Sequence, residues 1–419
     1  MTRYLMRIHE RINTLGEKGT ISVQKYGGSS LADDAKIRTV ACKIKKTLDG
    51  VSKLVVVVSA NGDTTNGLIK KAKQMNPYPL KRELDMLVST GEQVSASLLT
   101  MALHAIGVNA LSVNAYQLGI ETDQVYTEAK IRKIDRQRLT GFLEKDDVLV
   151  VTGFQGITGD NEITTLGRGG SDTSAVALAA TLNCDCEIFS DFDGIYTIDP
   201  RLMPKSKKLT QISYDEMLEM ASLGANVLHS RAVEIAKKYS VRLRCASTFS
   251  DKGGTMVTST YLEAPVVSGL SVMRDQTQIT LSNLEQGVEQ NKEVFAVASA
   301  KNWNIDMISI IQLNNNLDIA FTVVESVIDD VIATYETIFK QNKDVRIKAQ
   351  TGFAKISVVG LGMRTESGVA SRFFSALAKG AINVKMVTTS EIKISVLIPQ
   401  QQLEMAVECL SEEFELCSE

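Results

Sequence analysis

The sequence predicts an α/β protein: a three-layer αβα unit on a mostly parallel sheet, followed by two small α+β units of ferredoxin-like pattern. Three observations carry this. Residues 21 to 260 alternate short β-branched runs with longer helical patterns, the rhythm of a parallel sheet covered on both faces. After Lys252-Gly253-Gly254-Thr255 the pattern changes to strand, helix, strand, strand, helix, read twice, around 277–342 and around 354–414. A chain of 419 residues should also form two or three domains rather than one core.

Taken in order, the first half reads ISVQKYG, a helix near 33–48, LVVVVSA, a helix through 66–74 and a long helical stretch across 81–106. It continues with DVLVVTGF, a helix from Asp172, CEIFSD, a helix at 213–222 and VRLRCAS. Ligands of such a sheet belong at the carboxyl ends of its strands. In the second half the later unit is the clearer, with KISVVG, a helix near 366–379, INVKMVT, IKISVLI and a final helix that leaves no room for a closing strand. The surplus extended segment at 266–274 can supply it, so the two units within 266–419 are expected to be interleaved. Residues 1–20 form an N-terminal extension that suits a short amphipathic surface helix.

Composition narrows the function classes. The apolar fraction is 44%, with only six prolines, as in an ordinary globular protein without long disordered tracts. A net charge of −3, with bases and acids mixed throughout, gives no electrostatic reason to expect nucleic acid. The apolar runs, such as Leu54–Val58, are strand-sized and far short of the roughly 20 residues that span a bilayer. Six scattered cysteines without framework spacing read as reduced thiols, and no secretory or import pattern opens the chain, so a cytoplasmic protein is expected. Three distant histidines offer little for a metal site or a Ser-His-Asp triad. Small-molecule chemistry remains.

The residues suited to that chemistry follow the strands. Lys25 closes the first strand ahead of Gly27 and Gly28, where an ammonium and backbone amides can meet moving phosphates; a solvated lysine before an ordinary turn would look the same. Ser59 and Thr65 flank a Gly-Asp-Thr loop, where their hydroxyls either cap the next helix or bind a polar ligand. Glu92 lies in Ser-Thr-Gly-Glu within an apolar helical stretch, where a carboxylate is costly unless it is paired or faces a site; a solvated helix face is the structural alternative. Arg168, followed by Gly169-Gly170-Ser171-Asp172, joins a planar guanidinium fork to a helix N-terminus, a combination suited to a carboxylate or phosphate. A plain N-cap with an acid in the first turn is the structural alternative for Ser171 and Asp172. Ser190, Asp191, Tyr196 and Arg201 lie in the loop after CEIFSD, with an aromatic face for a purine and a charge for phosphates, or else a simple Asp-Gly and Asp-Pro turn.

Read together, KYGGSS, VVVVSANGDTTN, STGE, TTLGRGGSDTSA, SDFDGIYTIDPR and GANVLHS, in that order, closely resemble the aspartate kinases of the amino acid kinase family. The resemblance spans roughly 21–419, with INVKMVTTSEIKISVLI similar to the family's C-terminal ACT domains. It implies an amino-acid-kinase fold over 21–260 with paired ACT units over 266–419. The implied activity is ATP-dependent phosphorylation of the side-chain carboxylate of L-aspartate, the first step of lysine, threonine and methionine biosynthesis. Carried over, Lys25 and Asp172 would serve catalysis, and Thr65, Glu92, Arg168 and Ser171 would hold aspartate. Lys25, Gly27, Gly28, Ser59, Ser190, Asp191, Tyr196, Arg201 and Asn226 would hold ATP, with Mg2+ on its phosphates rather than in a protein cage. A homodimer or larger assembly inhibited by an amino acid, lysine before threonine, is also implied, with Asp306, Ser309, Ser390 and Glu391 as effector residues. Two departures stand out: Asn226 replaces the lysine of the family's GAKVLHP, and Asp306 leads into MISIIQ where lysine-sensitive relatives can carry a TTSE-like segment. The alternatives are a kinase for another acceptor and an amino-acid sensor with an inactive kinase half.

Overall fold

The computed structural model describes residues 21–223, 228–259, 265–285, 288–313, 316–342 and 344–418. They divide into two compact units. The first takes the described residues up to 195, 208–221 and 228–259; the second takes 196–207, 222–223 and those from 265 onward.

In the first unit the chain runs β1 (Ile21–Tyr26), α1 (Asp34–Thr47), β2 (Lys53–Val58), α2 (Thr64–Met75), α3 (Lys81–Val88), α4 (Thr90–Ala105), β3 (Ala110–Val113), α5 (Ala115–Leu118), β4 (Ile120–Thr122) and β5 (Ile131–Ile134). It continues through α6 (Arg136–Lys145), β6 (Val148–Thr152), β7 (Gln155–Ile157), β8 (Ile163–Thr165), α7 (Gly170–Leu182), β9 (Cys186–Ser190), β10 (Gln211–Ser213), α8 (Tyr214–Ser222), α9 (Ser230–Tyr239), β11 (Leu243–Ser247) and β12 (Thr255–Thr258). Eight strands form one sheet in the order β10-β12-β11-β9-β1-β2-β6-β3, parallel except where β11 meets β12. The apolar run of β2 explains its central place: Leu54 to Val58 are all fully buried, and each such side chain contributes about 1.5–3 kcal/mol. Leu54, Val56 and Val58 join Ile37, Ile44, Leu99 and Leu103 of α1 and α4 in one core, while α7 covers β1 and β2 from elsewhere in the unit. Asp33 caps α1 by accepting from the Lys36 amide at 2.9 Å.

Two features differ from the sequence reading. The helical stretch across 81–106 is two helices that meet at Ser89, whose carbonyl accepts from Gln155 Nε2 at 2.5 Å. A second sheet, β5-β4-β7-β8, was not legible; its strands hold only three or four residues each.

The second unit comprises β13 (Gly269–Glu285), α10 (Val288–Ala300), β14 (Ile308–Leu313), β15 (Asn316–Val324), α11 (Ile328–Ile338), β16 (Arg346–Val359), α12 (Val369–Lys379), β17 (Met386–Ser390), β18 (Lys393–Pro399) and α13 (Leu403–Glu413). Its six strands form one antiparallel sheet, β14-β15-β13-β16-β18-β17. β13 serves both halves: Gly269–Met273 pair with Lys355–Val359, and Gln276–Leu281 pair with β15. Phe373 and Leu410 pack on Ile356 and Val358, whereas Phe321 and Tyr335 pack on Ile279 and Leu281. The segment 196–207 belongs to this unit: Ile198 enters its core, Thr197 donates to the Leu416 carbonyl at 2.6 Å, and the Ser418 amide donates to Lys205 O at 2.8 Å.

On β16 the alternation places Lys355 on the face opposite Ile356, with its side chain 3% exposed and paired with Asp306. A buried ammonium tolerates loss of its carboxylate poorly. Asp306→Ala is therefore expected to destabilise the second unit by roughly 3 kcal/mol, measured by chemical denaturation, with Lys355→Met costing less.

Candidate active site

Strand order reverses at β1, whose neighbours are β2 and β9, and crevices form at such switch points beyond the carboxyl ends of strands. Lys25 stands at that end of β1. Its Nζ lies 2.7 Å from Asp172 Oδ1 in the first turn of α7, with each side chain only 12% exposed. The contact is ionic rather than a directed hydrogen bond, since that oxygen has no hydrogen-bond partner among the described residues.

One pocket is lined by Lys25, Gly28, Ser59, Thr65, Glu92, Arg168, Ser171 and Asp172. The fold thus gathers eight of the residues singled out in the sequence, drawn from β1, the ends of β2 and β8, and helices α2, α4 and α7. Ser59 does not cap α2, whose N-cap is Asp63. Gly28 comes close to the neighbouring loop; a Cβ there would lie 2.7 Å from the Ala60 carbonyl. The Gly27 amide is engaged with Phe189 O at 3.2 Å.

Helix α7 is buried from Gly170 to Ala179, and its N-cap, Gly169, has no side chain to close the end of the helix. Its first-turn amides and positive dipole end therefore face the pocket. Ser174 holds the helix in place, donating to Gly170 O at 3.0 Å and accepting from the Phe154 amide at 3.1 Å. Gly169 has φ +68°, and a Cβ would lie 2.3 Å from the His229 ring, so only glycine fits this turn. Arg168, just before it, is exposed and finds no acceptor among the described residues.

Glu92 is 3% exposed. Its Oε1 accepts from the Ala60 amide at 3.1 Å, and its Oε2 is buried without a donor among the described residues. Burial pushes the carboxyl up to about 7, offset only in part by the Ala60 amide. The pocket thus presents an unsatisfied carboxylate oxygen, a free guanidinium, an ammonium and a helix N-terminus. That set complements a zwitterion carrying an additional anionic group.

Other expected residues lie elsewhere. Ser190 ends β9 beside β1 and accepts from the Phe192 amide, and Asp191 follows it exposed. Tyr196 and Arg201 belong to the second unit, where Arg201 forks onto Asp199 at 2.6–3.1 Å. Asn226 falls outside the described residues. In the second unit Asp306 holds Lys355, Ser309 pairs with Ala320, Ser390 ends β17, and Glu391 pairs with Arg364. Asp85 and Thr127 in the pocket wall, and His229 against Gly169, were missed. For Asp85 a signal existed: it sits at an inward position of α3, three residues before the buried Val88.

Because the native carboxyl of Glu92 titrates above its unfolded value, the folded chain holds a proton that the unfolded chain has lost between about pH 4.5 and about 7. Stability therefore falls as pH rises through that window, by at most on the order of 3 kcal/mol. Glu92→Gln is expected to flatten this dependence and raise the thermal midpoint at alkaline pH, as followed by thermal denaturation across pH.

Among the described residues no helix is long and apolar enough to cross a membrane. The family model for the Amino acid kinase family matches residues 20–247, and that for the ACT domain matches 356–414. Aspartate kinase Ask_LysC of Stutzerimonas stutzeri is 45% identical over 399 residues, covering 94% of this chain and 97% of that one. Aspartokinase 2 of Bacillus subtilis is 42% identical over 397 residues, with 94% and 97% covered. The fold is shared with the solved E. coli aspartokinase III in complex with aspartate and ADP, at a TM-score of 0.77 and 24% identity, covering 94% of this chain and 100% of that one. The chain belongs to the amino acid kinase family and, within it, to the aspartate kinases.

Proposed function

We propose that the protein transfers a phosphoryl group from ATP to the side-chain carboxylate of L-aspartate, giving 4-phospho-L-aspartate. The observation that carries this reading is the charge pattern of the pocket: Glu92 Oε2 and Arg168, neither with a partner among the described residues, share one cavity with the Lys25–Asp172 pair. Glu92 binds the α-ammonium, and Arg168 with Ser171 binds the α-carboxylate. Thr65 contributes a hydroxyl. The β-carboxylate is then the group left to face Lys25.

That nucleophile is ionised at neutral pH, with a carboxyl pKa of about 3.9, so no general base is required. The protein's contribution is positioning and neutralisation of charge on the transferring group. Lys25 and the first-turn amides of α7 supply positive potential there, and Asp172 holds the ammonium in place. Gly28, Ser59, Ser190 and Asp191, at the carboxyl ends of β1, β2 and β9, receive the nucleotide, with Gly27, Tyr196, Arg201 and Asn226 assigned to it by the family resemblance. Mg2+ would arrive on the phosphates rather than in a protein cage, since the Asp172 oxygen nearest the pocket's ammonium is already paired with Lys25.

ADP release measured with aspartate, glutamate and UMP as acceptors tests the reading, with turnover expected for aspartate; turnover with UMP alone, or with none of the three, would defeat it. Lys25→Ala is expected to lower kcat by about 10²–10³ with little change in the KM for aspartate. The second unit, with its ACT match, is proposed to carry feedback by an amino acid, lysine before threonine, in a homodimer or larger assembly. Saturating lysine and threonine, alone and together, should lower activity or aspartate affinity; no response to either would remove the regulatory reading.

A further inference from the structure

Two charged side chains beside the pocket are left unexplained by substrate binding. Asp85 of α3 is fully buried. Its Oδ2 accepts from the Thr127 and Thr165 amides, both at 2.9 Å, and its Oδ1 accepts from the Thr165 hydroxyl at 2.7 Å. Arg231 of α9 donates to Leu166 O and to Ala129 O, each at 2.7 Å. The amide of Ala129 in turn donates to Thr165 O at 2.9 Å.

These bonds converge on one short piece of backbone. Asp85 holds it from the amide side and Arg231 from the carbonyl side, immediately before the turn Gly167-Arg168-Gly169. That turn has little freedom of its own: Gly167 and Gly169 both have positive φ, and a Cβ on Gly167 would lie 2.9 Å from Thr127 O. Arg168 itself is exposed and has no acceptor among the described residues to orient it. The backbone that carries it therefore fixes where the side chain starts, and hence which positions of a bound carboxylate the guanidinium can reach.

We infer that Asp85 and Arg231 are positioning residues for Arg168, clamping the 127–129 and 165–166 backbone so that the guanidinium meets the acceptor's α-carboxylate. The inference rests on the proposed role of Arg168. A buried carboxylate that served packing alone would act on stability and not on one substrate. A clamp on Arg168 acts on the acceptor selectively, because misplacement of a binding group by about 1 Å can cost up to a hundredfold.

The test is steady-state kinetics on the full-length chain. Asp85→Ala is expected to raise the KM for aspartate by about tenfold to a hundredfold while leaving the KM for ATP within about twofold. Asp85→Asn should restore the aspartate KM to within about threefold of the parent, because its Oδ1 can accept both amides and its Nδ2 can donate to the Thr165 hydroxyl. In an Arg168→Ala background, Asp85→Ala should cost little further, since coupled groups are not additive. If Asp85→Ala fails to fold, Arg231→Gln takes its place in the same cycle. Equal rises in both KM values, or an undiminished effect of Asp85→Ala in the Arg168→Ala background, would overturn the inference. If Arg168→Ala leaves the aspartate KM unchanged, the substrate assignment falls and the clamp falls with it. If Arg168→Ala raises that KM while Asp85→Ala and Arg231→Gln do not, only the clamp falls.

Discussion

The contact between Lys25 and Asp172 joins the central strand of the sheet to the first turn of its most buried helix. Both charges are largely removed from water, so neither tolerates loss of the other. Helix α7 cannot shift to suit them, because nearly every residue of its first ten is buried and Ser174 fastens it to Phe154. The position of the ammonium is therefore dictated by helix packing. Ser171, the Gly169 turn and Arg168 take their places relative to the same helix end, so one packing decision arranges most of the pocket.

The polar groups of the pocket are deliberately incomplete. The two charges that hold backbone rather than ligand are satisfied: Asp85 has three donors, and Arg231 has two carbonyls. Glu92 lacks a donor for one oxygen, and Arg168 lacks an acceptor among the described residues. An orphaned buried group costs free energy in the empty protein. Binding a ligand with a matching cation recovers that cost at Glu92.

The parts of this arrangement legible in the sequence were those encoded locally. The β2 run announces a central strand because five consecutive apolar, mostly β-branched residues have no other favourable place. The turn from Arg168 to Asp172 announces an anion site because two glycines and an arginine precede a helix. The clamp was not legible, since Asp85 reaches Thr127 and Thr165 across 42 and 80 residues. Nor was the β5-β4-β7-β8 sheet, whose strands are too short to show alternation. The reach of the motif SDFDGIYTIDPR was also hidden. Its wording is continuous, yet Tyr196 onward folds with the second unit, because Ile198 is needed in a core whose other members lie between Val267 and Leu416.

Asp85 and Glu92 show what separates the two kinds of buried charge. They sit on consecutive helices, α3 and α4, line the same pocket, and are almost wholly shielded from water. Burial raises the carboxyl of each. At Asp85 the Thr165 hydroxyl and two amides pull it back, and the carboxylate is complete as it stands. At Glu92 the Ala60 amide and its own backbone amide offset burial only in part and the carboxyl is left at about 7, close enough to neutrality that a cation arriving beside it decides its charge. Donor count, rather than burial, thus distinguishes the carboxylate that builds the site from the one that awaits a ligand.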